Sequence, residues 1–280
     1  MLNDMTNFRE NEKPVAVFDS GLGGLTVFRE ILRQLPDENL IYFGDTARVP
    51  YGSKSRETII HYTEQILNFL RTKEVKAIVV ACNTVSAYAL EELKDRVEVP
   101  IIGVVKPGAY AAVKQTKSRR VGVMGTEGTV RSGLYPSYIH EIDPSVLVFQ
   151  KPCPLIVPLV EEGLWEDPLT TEAVRRYTRV FREEHVDTVI MGCTHYPLVR
   201  DTIRKVLGDE VTLVNPAYET TAALKRVLEE KDLLRAMDAP VTGPPYRFYV
   251  SDDPDKFKEF ASRVLRFDIP ETRKIDIEAY

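Results

Sequence analysis

The chain has 280 residues, 44% of them hydrophobic and 28% charged, with a formal charge of −5. That supplies enough apolar material for one large or two small domains, and shows none of the bias of a disordered or fibrous chain. Lysines and arginines are scattered, which argues against a nucleic-acid or anionic-membrane partner and for a small molecule, and no run approaches the roughly 18 apolar residues of a membrane helix.

In chain order, Met1–Lys13 is polar and acidic, unlike a signal peptide, so a cytoplasmic location is expected. Short β-branched runs then recur at Val15–Phe18, Leu40–Phe43, Ala77–Ala81, Ile101–Val105, Val121–Met124 and Thr188–Met191, each followed by a turn signal and a helical period. Helices are predicted over Val85–Arg96 and Pro197–Leu207. The tail carries a helical pattern at Tyr218–Leu228, a Pro/Gly-rich stretch at Pro240–Pro245, a strand at Arg247–Val250 and a last helix at Pro254–Leu265. The strands are apolar on both faces, which predicts parallel sheets covered by helices, with ligands beyond the strands' C-terminal ends. The Pro-Gly pair after Val105–Lys106 marks a crossover. The expected organisation is a first α/β domain from residues 14–105 plus 216–280, a second from 106–215, and an extension at 1–13.

An internal repeat gives this pattern a symmetry. Val15-Ala16-Val17-Phe18-Asp19-Ser20-Gly21 resembles Val121-Gly122-Val123-Met124-Gly125-Thr126-Glu127, so that Ser20 matches Thr126. Ile78-Val79-Val80-Ala81-Cys82-Asn83-Thr84 resembles Val189-Ile190-Met191-Gly192-Cys193-Thr194-His195, so that Cys82 matches Cys193. Two related lobes packed about a pseudo-two-fold would bring a hydroxyl and a thiol from each half to one cleft.

There are three cysteines, too few for a disulfide framework, and any one of them could be a small buried hydrophobe. Cys82 and Cys193 differ from that pattern because each follows a strand and precedes a predicted helix, where unpaired N–H groups and the dipole favour a thiolate. Cys153, in Pro152-Cys153-Pro154, has no repeat partner and is expected only to pack. Among four histidines, His61, His140 and His185 read as surface or half-buried, whereas His195 stands two residues after Cys193 and could bond a thiol, a carboxylate or an acid from the other half. Asp19-Ser20-Gly21-Leu22-Gly23-Gly24 has Thr26 where a dinucleotide fingerprint requires its third glycine. What remains suits a carboxylate, with Asp19 as a proton-handling group, an amine partner or a helix N-cap. Asp45–Ser53, containing Pro50-Tyr51-Gly52, reads as a substrate-side loop; Asn83, Thr84 and Thr194 add amide and hydroxyl groups beside the thiols.

At these residues the chain resembles the glutamate racemases of the aspartate/glutamate racemase superfamily. The resemblance runs from Val15 to Leu198 through Val17–Thr26, Tyr42–Gly52, Ala81–Thr84, Gly122–Thr129, Pro158–Glu161 and Gly192–Leu198. It implies interconversion of L- and D-glutamate with no metal or pyridoxal phosphate, a supply of D-glutamate for peptidoglycan, and a homodimer. It makes Cys82 and Cys193 the two bases, serving the D- and L-enantiomers respectively, with Asp19 and His195 assisting. Asp19, Ser20, Tyr51, Gly52, Asn83, Thr84, Thr126, Thr129, Thr194 and His195 become substrate-binding positions. Glu161 becomes an auxiliary acid near His195, with Glu162 as its competitor. The chemistry agrees, since inverting a carbon requires proton removal on one face and delivery on the other.

Other readings remain open at this level. A superfamily member acting on aspartate would share these motifs. A pyridoxal enzyme could use Lys106, a binding module could use two lobes around a cleft without thiols, and Cys82, Cys193 and His195 could hold a metal, although there is no close-spaced cysteine pair.

Overall fold

A computed structural model of the chain describes residues 10–236 and 245–280. The first nine residues of Met1–Lys13, and 240–244 of the Pro/Gly-rich stretch, lie outside the described residues. Among the described residues ten strands form two parallel sheets: β1 (Val15–Asp19), β2 (Leu40–Gly44), β3 (Ala77–Val80), β4 (Ile101–Gly103), β5 (Arg120–Gly125), β6 (Leu147–Pro152), β7 (Thr188–Gly192), β8 (Thr212–Val214), β9 (Tyr246–Val250) and β10 (Thr272–Lys274).

The first sheet has the order β10-β9-β2-β1-β3-β4 and the second β6-β5-β7-β8. The run β2-β1-β3-β4 therefore repeats as β6-β5-β7-β8, and the repeat read from sequence is a repeat of topology. Ser20 and Thr126 follow the two central strands, and Cys82 and Cys193 follow the strands paired beside them. The strands are buried on both faces, as their continuous apolar runs predicted. Val15 and Val17 join one core that continues into Val121 and Val123 of the second sheet, while Ala16 and Phe18 join a separate core on the opposite face.

Local sequence decides where several helices start. Ser55 accepts from Thr58 N–H, Thr126 from Thr129 N–H and Asn215 from Ala217 N–H, each capping the helix that follows. Pro216 occupies a first-turn position, where its missing N–H costs nothing.

Several boundaries differ from the sequence expectation. The fourth strand stops at Gly103, and Val105–Gln115 is a helix with Lys106 and Pro107 in its first turn, so the crossover is helical. The helix expected over Val85–Arg96 begins earlier, at Asn83, and divides into Asn83–Tyr88, Leu90–Leu93 and a 3₁₀ turn. The helix expected over Pro197–Leu207 is a 3₁₀ turn, Tyr196–Val199, and then an α-helix from Arg200 to Leu207. Cys193 consequently does not stand at an α-helix N-terminus, whereas Cys82 is the N-cap residue of Asn83–Tyr88. β6, β8 and β10 lie outside the strands expected from the sequence. β6 and β10 are partly exposed edge strands, and β8 has only three residues.

Candidate active site

The C-terminal ends of the two sheets face a cavity of about 500 Å³. Cys82 and Cys193 both line it, each 6% exposed, one from each sheet. Ser20, Tyr51, Gly52, Asn83 and Thr84 come to its wall from the first sheet's loops, and Thr126, Glu161, Thr194 and His195 from the second's. Asp19 and Thr129 do not line it. Both are almost wholly buried, and they hold residues that do.

Close approach between the loops depends on the absence of side chains. A Cβ at Gly23 would lie 2.3 Å from Thr194 Oγ1 and 2.5 Å from His195 Nδ1. A Cβ at Gly52 would lie 2.9 Å from the Cβ of Thr126. Polar contacts cross the same boundary. Thr26 donates to the Thr194 carbonyl at 2.8 Å, and Thr84 Oγ1 lies 2.9 Å from Thr126 Oγ1 and 3.3 Å from Thr129 Oγ1. Thr129 therefore contributes by holding Thr84 and Thr126.

Asp19 is not a helix N-cap; that position belongs to Gly24. Its carboxylate accepts from Gly21 N–H at 3.0 Å and from Thr194 Oγ1 at 3.4 Å. Burial raises its pKa above the usual carboxylate range, against the opposing effects of His195 and the neighbouring donors.

The second thiol has a histidine beside it. Cys193 Sγ is 3.8 Å from His195 Nδ1, and His195 Nε2 is 3.0 Å from Glu161 Oε1. Burial alone would lower the histidine pKa, but Cys193 and Glu161 hold it up at about 10. Burial pulls Glu161 upward, and the contact with His195 reverses this to a lowered value. Of the two adjacent acids, Glu161 reaches His195; Glu162 caps the end of the helix Ile156–Glu161.

The thiolate expected at Cys82 from its helix N-terminus is corrected by the structure. Burial and the nearby Asp19 push this thiol up to about 12, outweighing the bonds from Ser20 and Val85 that favour the thiolate. Six residues provide only a short dipole, and the removal of water from a buried sulfur costs more than that dipole returns. Cys153 lies in the core away from the cavity, its Sγ donating to the Lys151 carbonyl at 3.3 Å. His61, His140 and His185 are exposed.

Tyr51 is 2% exposed, and its hydroxyl donates to Asp45. Asp45 also receives Arg48 at 2.7 Å and Ser251 at 2.7 Å, so the substrate-side loop is anchored from below. Sequence reasoning missed Pro154 and Val157 in the cavity wall and Tyr135 behind Asn83. Nothing local in their sequence marks them. Lys106 lies in a separate cavity of about 550 Å³, its Nζ 5.5 Å from the centre of the Tyr138 ring, and is not available for chemistry beside the thiols. Among the described residues no three His, Cys, Asp or Glu side chains are grouped so as to hold a metal ion, so the alternative set Cys82, Cys193 and His195 is not formed as one.

A family model for Asp/Glu/Hydantoin racemase matches residues 18–224, a span that includes both thiols and the wall around them. The chain belongs to this racemase family. A glutamate racemase of Geobacter metallireducens is 45% identical over 267 residues, covering 95% of this chain and 98% of its own. The solved glutamate racemase of Bacillus anthracis superposes on this racemase-family chain with a TM-score of 0.90 at 38% identity, covering 95% and 98% of the two chains. That of Francisella tularensis, in complex with D-glutamate, gives a TM-score of 0.88 at 36% identity, covering 96% of this chain and all of its own (100%). No helix among the described residues is long and apolar enough to cross a membrane.

Proposed function

We propose that this chain interconverts L- and D-glutamate by a two-base mechanism in which Cys82 and Cys193 act on opposite faces of the α-carbon. The observation that carries the reading is the repeat: two thiols from equivalent strand ends of related lobes line one cavity. The neighbouring relatives are glutamate racemases, and one of their structures holds D-glutamate.

From the L-enantiomer, the Cys193 thiolate takes the α-proton and becomes a thiol. The electron pair delocalises into the carboxylate, and the Cys82 thiol delivers its own proton to the other face, leaving a thiolate. The return direction exchanges the roles. His195, braced by Glu161, is a proton donor beside the Cys193 sulfur, and Asp19 with Ser20 occupies the corresponding side at Cys82. The thiol pushed up to about 12 suits the acid role for the L-substrate. The hydroxyls of Ser20, Thr84, Thr126 and Thr194 and the amide of Asn83 supply neutral donors and acceptors for carboxylate and ammonium.

The proposal requires no metal or pyridoxal cofactor. It also takes residues 14–105 with 216–280, and 106–215, as the two lobes, and includes a cytoplasmic homodimer that supplies D-glutamate for peptidoglycan. The test is the circular dichroism of L-glutamate incubated with chelator-treated protein. The signal should decay to zero as a racemate forms. A signal that persists for glutamate but decays for aspartate overturns the substrate assignment.

A further inference from the structure

Asn83 is 4% exposed and lines the cavity, yet among the described residues only one end of its amide is engaged. Tyr135, wholly buried on the second-lobe helix Leu134–Ile142, donates its hydroxyl to Asn83 Oδ1 at 2.7 Å. Among the described residues Asn83 Nδ2 has no protein partner. The direction of the bond follows from the phenol, because Asn83 Oδ1 is the only acceptor for its proton among the described residues, and a buried phenol proton left unpaired is costly. The ring is fixed from both sides. A Cβ on Gly192, the residue before Cys193, would lie 3.1 Å from it, and one on Gly108 would lie 3.4 Å from its hydroxyl.

An asparagine amide is nearly symmetric in shape, so a buried one can present a donor or an acceptor to its ligand unless a neighbour distinguishes its ends. We propose that Tyr135 is a positioning residue that holds Asn83 with its N–H₂ group toward the cavity, where it donates to a carboxylate of the substrate. Tyr135 does not touch the substrate. It ties the first-lobe amide to the strand end carrying Cys193, so that donor and base keep a fixed relation across the cleft. This assignment rests on the glutamate reading above.

The test is a double-mutant cycle read by calorimetric binding of D-glutamate, in which exchange between mirror images contributes no heat. Tyr135→Phe should weaken binding by about tenfold when Asn83 is present, and by less than about twofold in an Asn83→Ala background, because the loss acts through the amide. Asn83→Asp keeps an acceptor for Tyr135 but offers the cavity no donor, so it should lose binding by at least about tenfold. This second variant decides the donor direction even if Tyr135→Phe does not fold. Equal effects of Tyr135→Phe in both backgrounds, or parental affinity in Asn83→Asp, overturn the inference. Racemisation by the parent protein is followed in parallel. A parent that racemises glutamate while the cycle shows no coupling overturns only the role of Tyr135, and a parent that neither binds nor racemises glutamate overturns both readings.

Discussion

Glu161 Oε1 lies 3.0 Å from His195 Nε2, and the far side of the same imidazole faces Cys193. This pairing sets a pH dependence whose sign can be worked out. The folded histidine pKa, about 10, is above its ordinary 6.5, so the stabilisation is complete below about 6.5 and is lost as pH rises toward 10. Glu161 is lowered, and its contribution is lost only as the pH falls through its own folded value. Parent and Glu161→Gln should therefore differ most in urea midpoint near pH 6 and converge by about pH 10, and the variant should lose about tenfold in kcat at pH 8. A midpoint difference that stays constant from pH 6 to 10 contradicts the pairing.

Opposed bases make a stereochemical prediction that inactivation alone cannot test. Cys82→Ala and Cys193→Ala should each reduce racemisation by at least about a thousandfold, since a proton removed on one face then has no donor on the other. Each variant retains one base. With a glutamate analogue carrying a leaving group on nitrogen, elimination needs only proton removal, so Cys82→Ala should still act on the L-analogue and Cys193→Ala on the D-analogue. Product formation with each enantiomer measures this, and identical preferences in the two variants would remove the assignment.

The contact between the Gly23 backbone and the second lobe leaves no room for a methyl group. Gly23→Ala should displace Thr194 and His195, lowering stability by about 1–3 kcal/mol and kcat by about a hundredfold. Gly133→Ala is a useful contrast, because nothing lies within 4 Å of its added carbon but its φ of +66° is unfavourable to alanine. That variant should lose stability while the folded fraction keeps its kcat. Denaturant titration with initial-rate kinetics separates the two, and parental kcat in Gly23→Ala would show that the lobes can shift without affecting chemistry.

Burial of the Cys82 thiol, pushed up to about 12, predicts its alkylation behaviour. In protein carrying Cys153→Ala and Cys193→Ala, labelling of Cys82 by iodoacetamide should rise about tenfold per pH unit from pH 7 to 10 without levelling off, and glutamate should slow it. A plateau near pH 8.5 would mean an ordinary thiol. Cys153→Ala alone should keep racemisation within about twofold of the parent and cost about 1 kcal/mol, as expected for trimming a buried side chain outside the site.

What the sequence determined is the part of the molecule written in short-range patterns. The apolar runs at Val15, Ala77, Val121 and Thr188 specify strands buried on both faces, and their duplication already matched Cys82 with Cys193. The residues just beyond these strands include Ser20, Asn83, Thr126 and Thr194, because parallel sheets place functional groups after strand ends. The marginal edge strand β6, ending in Gln150-Lys151-Pro152, was not legible, because its half-buried residues carry no clear alternation.

Tertiary structure decided everything that depends on distance between segments far apart in the sequence. The choice between Glu161 and Glu162 required the position of a histidine 34 residues away, and the hold of Tyr135 on Asn83 spans 52. The state of the Cys82 thiol could not be read from its place at a helix start, because the electrostatic benefit there is local while the loss of water is imposed by both lobes. Sequence specifies which side chains reach the strand ends; packing within each lobe and between the two decides which of them share a proton.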